Sequence, residues 1–98
     1  MIKEETSSNN SQLTEEFLKS NGFVCHHETE WCKTVEDGYD LWNIVVIYSG
    51  CNAFYLNIDH LSDGFRQGSL EGFKLFRVSE LQQAFRLFGL NELADNLK

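Results

Sequence analysis

The sequence has no proline, only three cysteines and no long apolar run. Without proline, every residue keeps its amide hydrogen for helices and strands, and slow prolyl isomerisation does not limit folding. The longest apolar run, Ile44–Tyr48, is far too short to cross a bilayer, and the polar residues 1–12 lack the apolar core of a signal peptide. Because an odd number of cysteines cannot all pair within the chain, we expect reduced thiols, no membrane segment and a cytoplasmic protein.

Basic residues are also scarce, since eight Lys and Arg stand against fifteen Asp and Glu, which gives a net charge of −7. Most of this charge lies in residues 1–49, which contain nine acids and three bases. Such a surface repels the phosphates of nucleic acids and attracts basic proteins. We therefore predict no direct nucleic-acid binding. The charge serves solubility, and mimicry of nucleic acid by the carboxylates is an alternative.

Apolar residues are plentiful, at 42% of the chain, and they include eight Phe, three Tyr and two Trp. A chain of 98 residues with this composition supports one core. Residues 1–12 are rich in Ser, Asn and Glu and show no apolar periodicity, so they are predicted to form a flexible tail. Residues 13–98 are predicted to form a single domain.

Two helices are predicted, one near each end of this domain. The first covers Leu13–Gly22, where Thr14 is a good N-cap and Glu residues occupy the first turn. The second begins with Ser79 as its cap and ends at Gly89, and Asn91 can start a further short helical piece. One face of the second helix carries the apolar stripe Leu81, Ala84, Phe85 and Phe88.

The region between the helices has the pattern of β-strands. Asp37-Gly38 is a strong hairpin signal, and 61–72 contains three glycines with little pattern, so we predict a loop there. The predicted strands are Phe23–His27 and Trp31–Glu36 (either two strands or one), Tyr39–Ser49, Ala53–His60 and Phe73–Val78. We expect an α+β fold: a short N-terminal helix, an antiparallel sheet of three to four strands, and a C-terminal helix packed on one face.

Both ends of the predicted domain resemble a known group of proteins. The run RVSELQQAFRLFGL, Arg77–Leu90, is similar to the C-terminal signature of small uncharacterised α+β proteins encoded in Bacteroidetes genomes and their phages and mobile elements. The run TEEFLKSNGF, Thr14–Phe23, resembles their opening helix and turn. This chain has Phe85 and Phe88 where smaller residues are typical of that group, which changes packing more than chemistry. The resemblance implies a bacterial or phage cytoplasm and supplies no site residues.

The most suggestive chemical cluster is Cys25, His27 and Cys32, since zinc takes cysteine and histidine ligands. His26 takes the opposite face of the strand. The two cysteines are six residues apart, no second pair follows downstream, and the spacing fits no zinc knuckle. A strand edge with polar histidines and inert cysteines explains the same pattern. We therefore assign no metal site and no cofactor, and keep metal binding as an alternative.

Two further arrangements could support catalysis. Cys51 lies in a Gly-Cys-Asn turn, and His60 on the following strand could act as its base. Two acidic groups, Glu28 with Glu30 and Glu36 with Asp37 and Asp40, could act as paired acid and base or bind a cation. No recognised motif surrounds any of these residues, and Asp37 already serves the predicted turn. We predict no enzyme and name no catalytic residue.

The strand Leu41–Tyr48 is apolar on both of its faces. Trp42, Ile44, Val46 and Tyr48 line one face, while Leu41, Val45 and Ile47 line the other. Helices on one side cover only one face, so the other is covered by the 61–72 loop, by the chain tail or by another molecule. We expect a non-catalytic protein-interaction module that blocks or tethers a protein partner, or self-associates, through the sheet face around Trp42–Tyr48.

Overall fold

The computed structural model describes residues 11–98 and shows an α+β fold with a five-stranded antiparallel sheet. The strands lie side by side in chain order, β1-β2-β3-β4-β5. The elements along the chain are α1 (Glu15–Ser20), β1 (Val24–Cys25), β2 (Glu30–Asp37), β3 (Asp40–Gly50), β4 (Ala53–Ser62), β5 (Phe65–Leu75), α2 (Val78–Leu87) and α3 (Asn91–Asp95). Helices at both ends of the chain and a central antiparallel sheet confirm the predicted class, whereas the predicted number of strands is too low.

Two local features explain the additional strands. The segment between Phe23 and Glu36 forms two strands, because His27 and Glu28 turn the chain with positive φ angles of 30° and 52°. The predicted loop over 61–72 is wrong, since this segment ends β4 and forms most of β5. The register of β5 against β4 shifts at two irregular positions. At these positions, and at its glycines, β5 does not show the regular alternation by which a strand is recognised in a sequence.

The two longer helices begin with side chains that cap free amide hydrogens. The hydroxyl of Thr14 accepts a hydrogen bond from the Phe17 N–H at 3.1 Å, as the sequence predicts. The second helix begins at Val78 with Arg77 as its N-cap, so the predicted cap Ser79 lies two residues too late, inside the first turn. The Glu80 carboxylate accepts hydrogen bonds from the N–H groups of Phe76 and Arg77, at 2.6 and 2.8 Å. A carboxylate therefore binds the amide hydrogens that precede the helix, in place of the predicted serine hydroxyl.

The segment before α1 is tied to the segment between β5 and α2. The Leu13 N–H donates to the Phe76 carbonyl at 2.9 Å, and the Val78 N–H donates to the Ser11 carbonyl at 3.0 Å. These bonds flank an antiparallel bridge between Gln12 and Arg77. Residues 11 and 12, which were assigned to the predicted tail, are therefore paired, and residues 1–10 of that tail lie outside the described residues.

The core lies on one face of the sheet, which we call the inner face. All three helices contribute to it, through residues such as Leu18, Leu81 and Ala94, which have no exposed surface. The inner face contributes eight side chains to the same cluster: Trp31, Trp42, Ile44, Val46, Phe54, Leu56, Ile58 and Leu75. No helix within residues 11–98 is long and apolar enough to cross a membrane.

Two leucines of α2 give a matched test of this packing. Leu81 is fully buried, whereas Leu87 on the same helix is 75% exposed. We expect Leu81→Ala to lower the free energy of unfolding by about 2–5 kcal/mol, because it removes a buried side chain and leaves a cavity. Leu87→Ala should change it by less than about 0.5 kcal/mol. Urea unfolding followed by circular dichroism measures both, and equal losses would contradict the one-sided core.

Candidate functional site

The surface of the sheet that faces away from the helices, here called the outer face, has two apolar rows at one end. Cross-strand pairing sets these rows. The first row is Val24, Cys32, Val45 and Asn57, and the second is Glu30, Ile47, Tyr55 and Lys74. We call Val24, Cys32, Val45, Ile47 and Tyr55 the outer patch. A charged residue of each sign ends the second row, so the patch has an apolar centre and a charged border.

The alternation predicted for β3 agrees with the burial of its side chains. Trp42, Ile44 and Val46 are buried beneath the helices. Val45 and Ile47 are only partly buried on the outer face, and neither belongs to the core cluster. The 61–72 segment cannot cover them, because it is a strand within the same sheet. Within residues 11–98, no helix packs on the outer face.

The proposed zinc ligands Cys25, His27 and Cys32 do not converge. Cys25 pairs with Trp31 and Cys32 pairs with Val24, so the two thiols lie on opposite faces of the sheet. His27 lies in the turn, with its side chain 86% exposed. Among the described residues, no three His, Cys, Asp or Glu side chains are placed to share a metal ion.

Cys51 and His60 are also far apart. Cys51 lies in the β3–β4 turn, whereas His60 is close to the opposite end of β4. The seven residue steps from Ala53 to His60 span roughly 23 Å along the strand, so the imidazole cannot activate that thiol. The two acidic groups lie at opposite ends of β2, and within residues 11–98 neither group has three side chains placed to share a cation.

One polar contact was missed by sequence reasoning. His60 Nε2 lies 3.0 Å from the Asp40 carboxylate, and the imidazole stacks on the Trp42 indole with ring centroids 4.4 Å apart. His60 continues the alternation Phe54, Leu56, Ile58, which places it on the inner face. The alternation along β4, counted from the β3–β4 turn, is the sequence signal that could have placed His60 opposite Trp42. The carboxylate orients the imidazole at the border of the core.

The surroundings of the Cys32 thiol oppose its ionisation. Its partial burial, and to a lesser extent the charge of Glu30 and the neighbouring Cys25, raise the pKa of this thiol above its ordinary value. A raised pKa lowers the thiolate fraction at neutral pH, which is the opposite of what a nucleophilic cysteine requires. Cys25 and Cys51 are exposed.

These differences predict a clear order of thiol modification. At pH 7.5 we expect iodoacetamide to alkylate Cys32 at least several-fold more slowly than Cys25 or Cys51, since Cys32 is partly buried and its raised pKa disfavours its thiolate, whereas the other two thiols are exposed. Its rate should continue to rise as the pH is raised beyond 9. Mass spectrometry of quenched time points measures each site, and the protein unfolded in urea is the control. Equal rates in the folded protein would contradict the burial of Cys32.

Comparison of the chain with protein-family models, curated proteins and solved structures finds no match. The resemblance of Thr14–Phe23 and Arg77–Leu90 to the small bacterial and phage proteins therefore stays a prediction.

Proposed function

We propose that this protein is a non-catalytic interaction module that binds another protein through the outer face of its sheet. The observation that supports this most directly is that the helices cover only the inner face, while the outer patch remains partly exposed. A face of this kind, with apolar residues in its centre and charge at its border, is typical of interaction surfaces. The dispersed cysteines, histidines and carboxylates of the described residues favour binding over catalysis.

The size of the outer face favours a transient complex. Four strands of about eight residues cover about 19 Å by 26 Å, or about 500 Å² on this side. Two molecules that meet over this area bury about 1,000 Å² in total, which lies at the weak, transient end of protein interfaces. An obligate dimer needs about twice that area or more.

The charge favours a different protein over a second copy. Each molecule carries −7, so two copies repel each other as they approach, whereas a basic partner is attracted. The proposal places this interaction in the cytoplasm of a bacterium or of a phage-infected cell. This location is proposed from the resemblance of Thr14–Phe23 and Arg77–Leu90 to bacterial and phage proteins, and from the free cysteines.

A pair of double variants tests the outer face. Val45→Arg with Ile47→Arg places two charges in the outer patch, while Gln83→Arg with Leu87→Arg places the same charges on the exposed surface of α2. In pull-downs from a lysate of the cells that encode the protein, we expect the native chain and the α2 variant to retain one stoichiometric partner. The outer-face variant should lose most of it, because charges are desolvated in the contact.

Two outcomes would contradict the proposal. If all three proteins capture the same partner equally, the outer face is not the binding surface. If sedimentation shows a native dimer that only the outer-face variant abolishes, the face serves self-association instead. Circular dichroism of each variant establishes that the fold is retained.

A further inference from the structure

One edge of the sheet is open over most of its length. β1 has only two residues and pairs with the beginning of β2, so no described strand lies beside Lys33–Asp37. The pairing of β2 with β3 runs without a shift in register from Glu30 to Asp37, so this edge is regular. The edge at β5 differs, because two register shifts distort that strand. A regular, unpaired edge is a template for an added strand.

The direction of the free groups on β2 follows from its bonded neighbours. The Glu30 carbonyl accepts from the His26 N–H on the β1 side. Main-chain groups alternate between the two sides of an antiparallel strand, so Thr34 and Glu36 also face away from β3. Beyond the end of β1, their N–H and C=O groups have no strand to pair with among the described residues. These are the groups through which an extended peptide binds a sheet edge.

A groove runs beside this edge, between β2 and α3. It consists of two cavities of about 470 and 400 Å³ that share Leu93 and Asn96 as lining residues. The larger cavity is lined by both apolar and acidic residues. Its apolar residues are Val35, Trp42, Leu90 and Leu93, and its acids are Glu36, Asp37 and Glu92. No Lys or Arg within residues 11–98 lines it.

Trp42 brings one unsatisfied polar group close to the groove. It lines the larger cavity, is only 8% exposed, and its indole Nε1 is buried without an acceptor among the described residues. A buried N–H without a partner is costly, so such groups are rare in folded proteins. Because this nitrogen is shielded from solvent, the indole contributes an apolar surface to the groove and not a hydrogen-bond donor.

We propose that the open edge of β2 and the adjoining groove bind an extended, basic segment of a protein partner as an additional strand. Its main chain pairs with Thr34 and Glu36, and its Lys or Arg side chains lie against Glu36, Asp37 and Glu92. This inference goes beyond the proposed function, because it uses a different surface from the outer patch.

The charges along the groove set the direction of that segment. At the far end, Lys33 Nζ donates to the Asn21 carbonyl at 3.1 Å, and Lys98 also lines the smaller cavity. Positive side chains therefore fit beside Asp37 and are repelled near Lys33. A second copy of the chain is a poor occupant, because each copy carries a net charge of −7 and is repelled where a basic segment is attracted.

The test uses two fluorescein-labelled heptapeptides: Thr-Val-Thr-Val-Arg-Arg-Arg, whose bases lie at one end and on both sides of an extended strand, and the same peptide with Glu in place of Arg. We expect the basic peptide to bind the native protein in fluorescence anisotropy and the acidic one to bind at least tenfold more weakly. Hydrogen exchange followed by NMR should show new protection at the Thr34 and Glu36 amides. Binding without that protection would overturn strand addition.

Matched variants separate the edge from the charges and from the outer face. Thr34→Pro removes an outward N–H and should weaken the basic peptide at least tenfold, whereas Thr34→Ala keeps that N–H and should bind normally. Glu36→Gln with Glu92→Gln should weaken it roughly 2- to 30-fold, and Glu16→Gln with Glu71→Gln should not. If both pairs of Gln substitutions weaken peptide binding equally, the effect comes from net charge alone and the proposed site is wrong.

The outer-face variant Val45→Arg with Ile47→Arg should leave peptide binding within about threefold of native, since the two surfaces are distinct. If it abolishes binding while Thr34→Pro does not, the peptide occupies the outer face and the inference is wrong. If the peptide binds through β2 but the outer-face variant captures its partner normally, the proposed function fails and this inference stands.

Discussion

The structure of residues 11–98 depends on how much of the sheet its helices can cover, because the three short helices of this part of the chain cannot pack on both faces of a five-stranded sheet. The helices α1, α2 and α3 have 6, 10 and 5 residues, so the longest spans about 15 Å. The strands β3 and β5 have 11 residues each and span about 36 Å. The helices therefore gather on the inner face, and the core forms there. The exposed outer patch and the open edge of β2 follow from the same shortage of covering chain.

The sequence predicts those elements whose defining contacts lie within a few residues of one another along the chain. Thr14 caps α1 through a bond to an amide three positions away, and Asp37-Gly38 joins two strands that pair directly. The apolar stripe of α2 and the alternation of β4 likewise repeat over short distances. These features depend on the chain's own neighbours, so a single sequence carries enough information to find them.

The features that depend on the alignment of distant segments were not predictable. β5 contains Gly68 and Gly72, and its alternation is interrupted where the pairing with β4 shifts, so it resembles a loop until β4 is beside it. The contact of Asp40 with His60 also requires the register of β3 against β4. The register of β1 against β2 places Cys25 and Cys32 on opposite faces, although their spacing along the chain suggests a cluster.

The negative charge of the acids at the end of β2 affects both self-association and the choice of partner. An open, regular strand edge is prone to pair with the same edge of another molecule, and charged residues oppose that pairing. Glu36 and Asp37 stand at this edge and add to the net charge of −7, so two copies that approach through β2 repel each other at long range. The same carboxylates lower the energy of a basic strand in that position. Protection against self-association and preference for a basic partner are therefore produced by the same side chains, and neutralising them should weaken both.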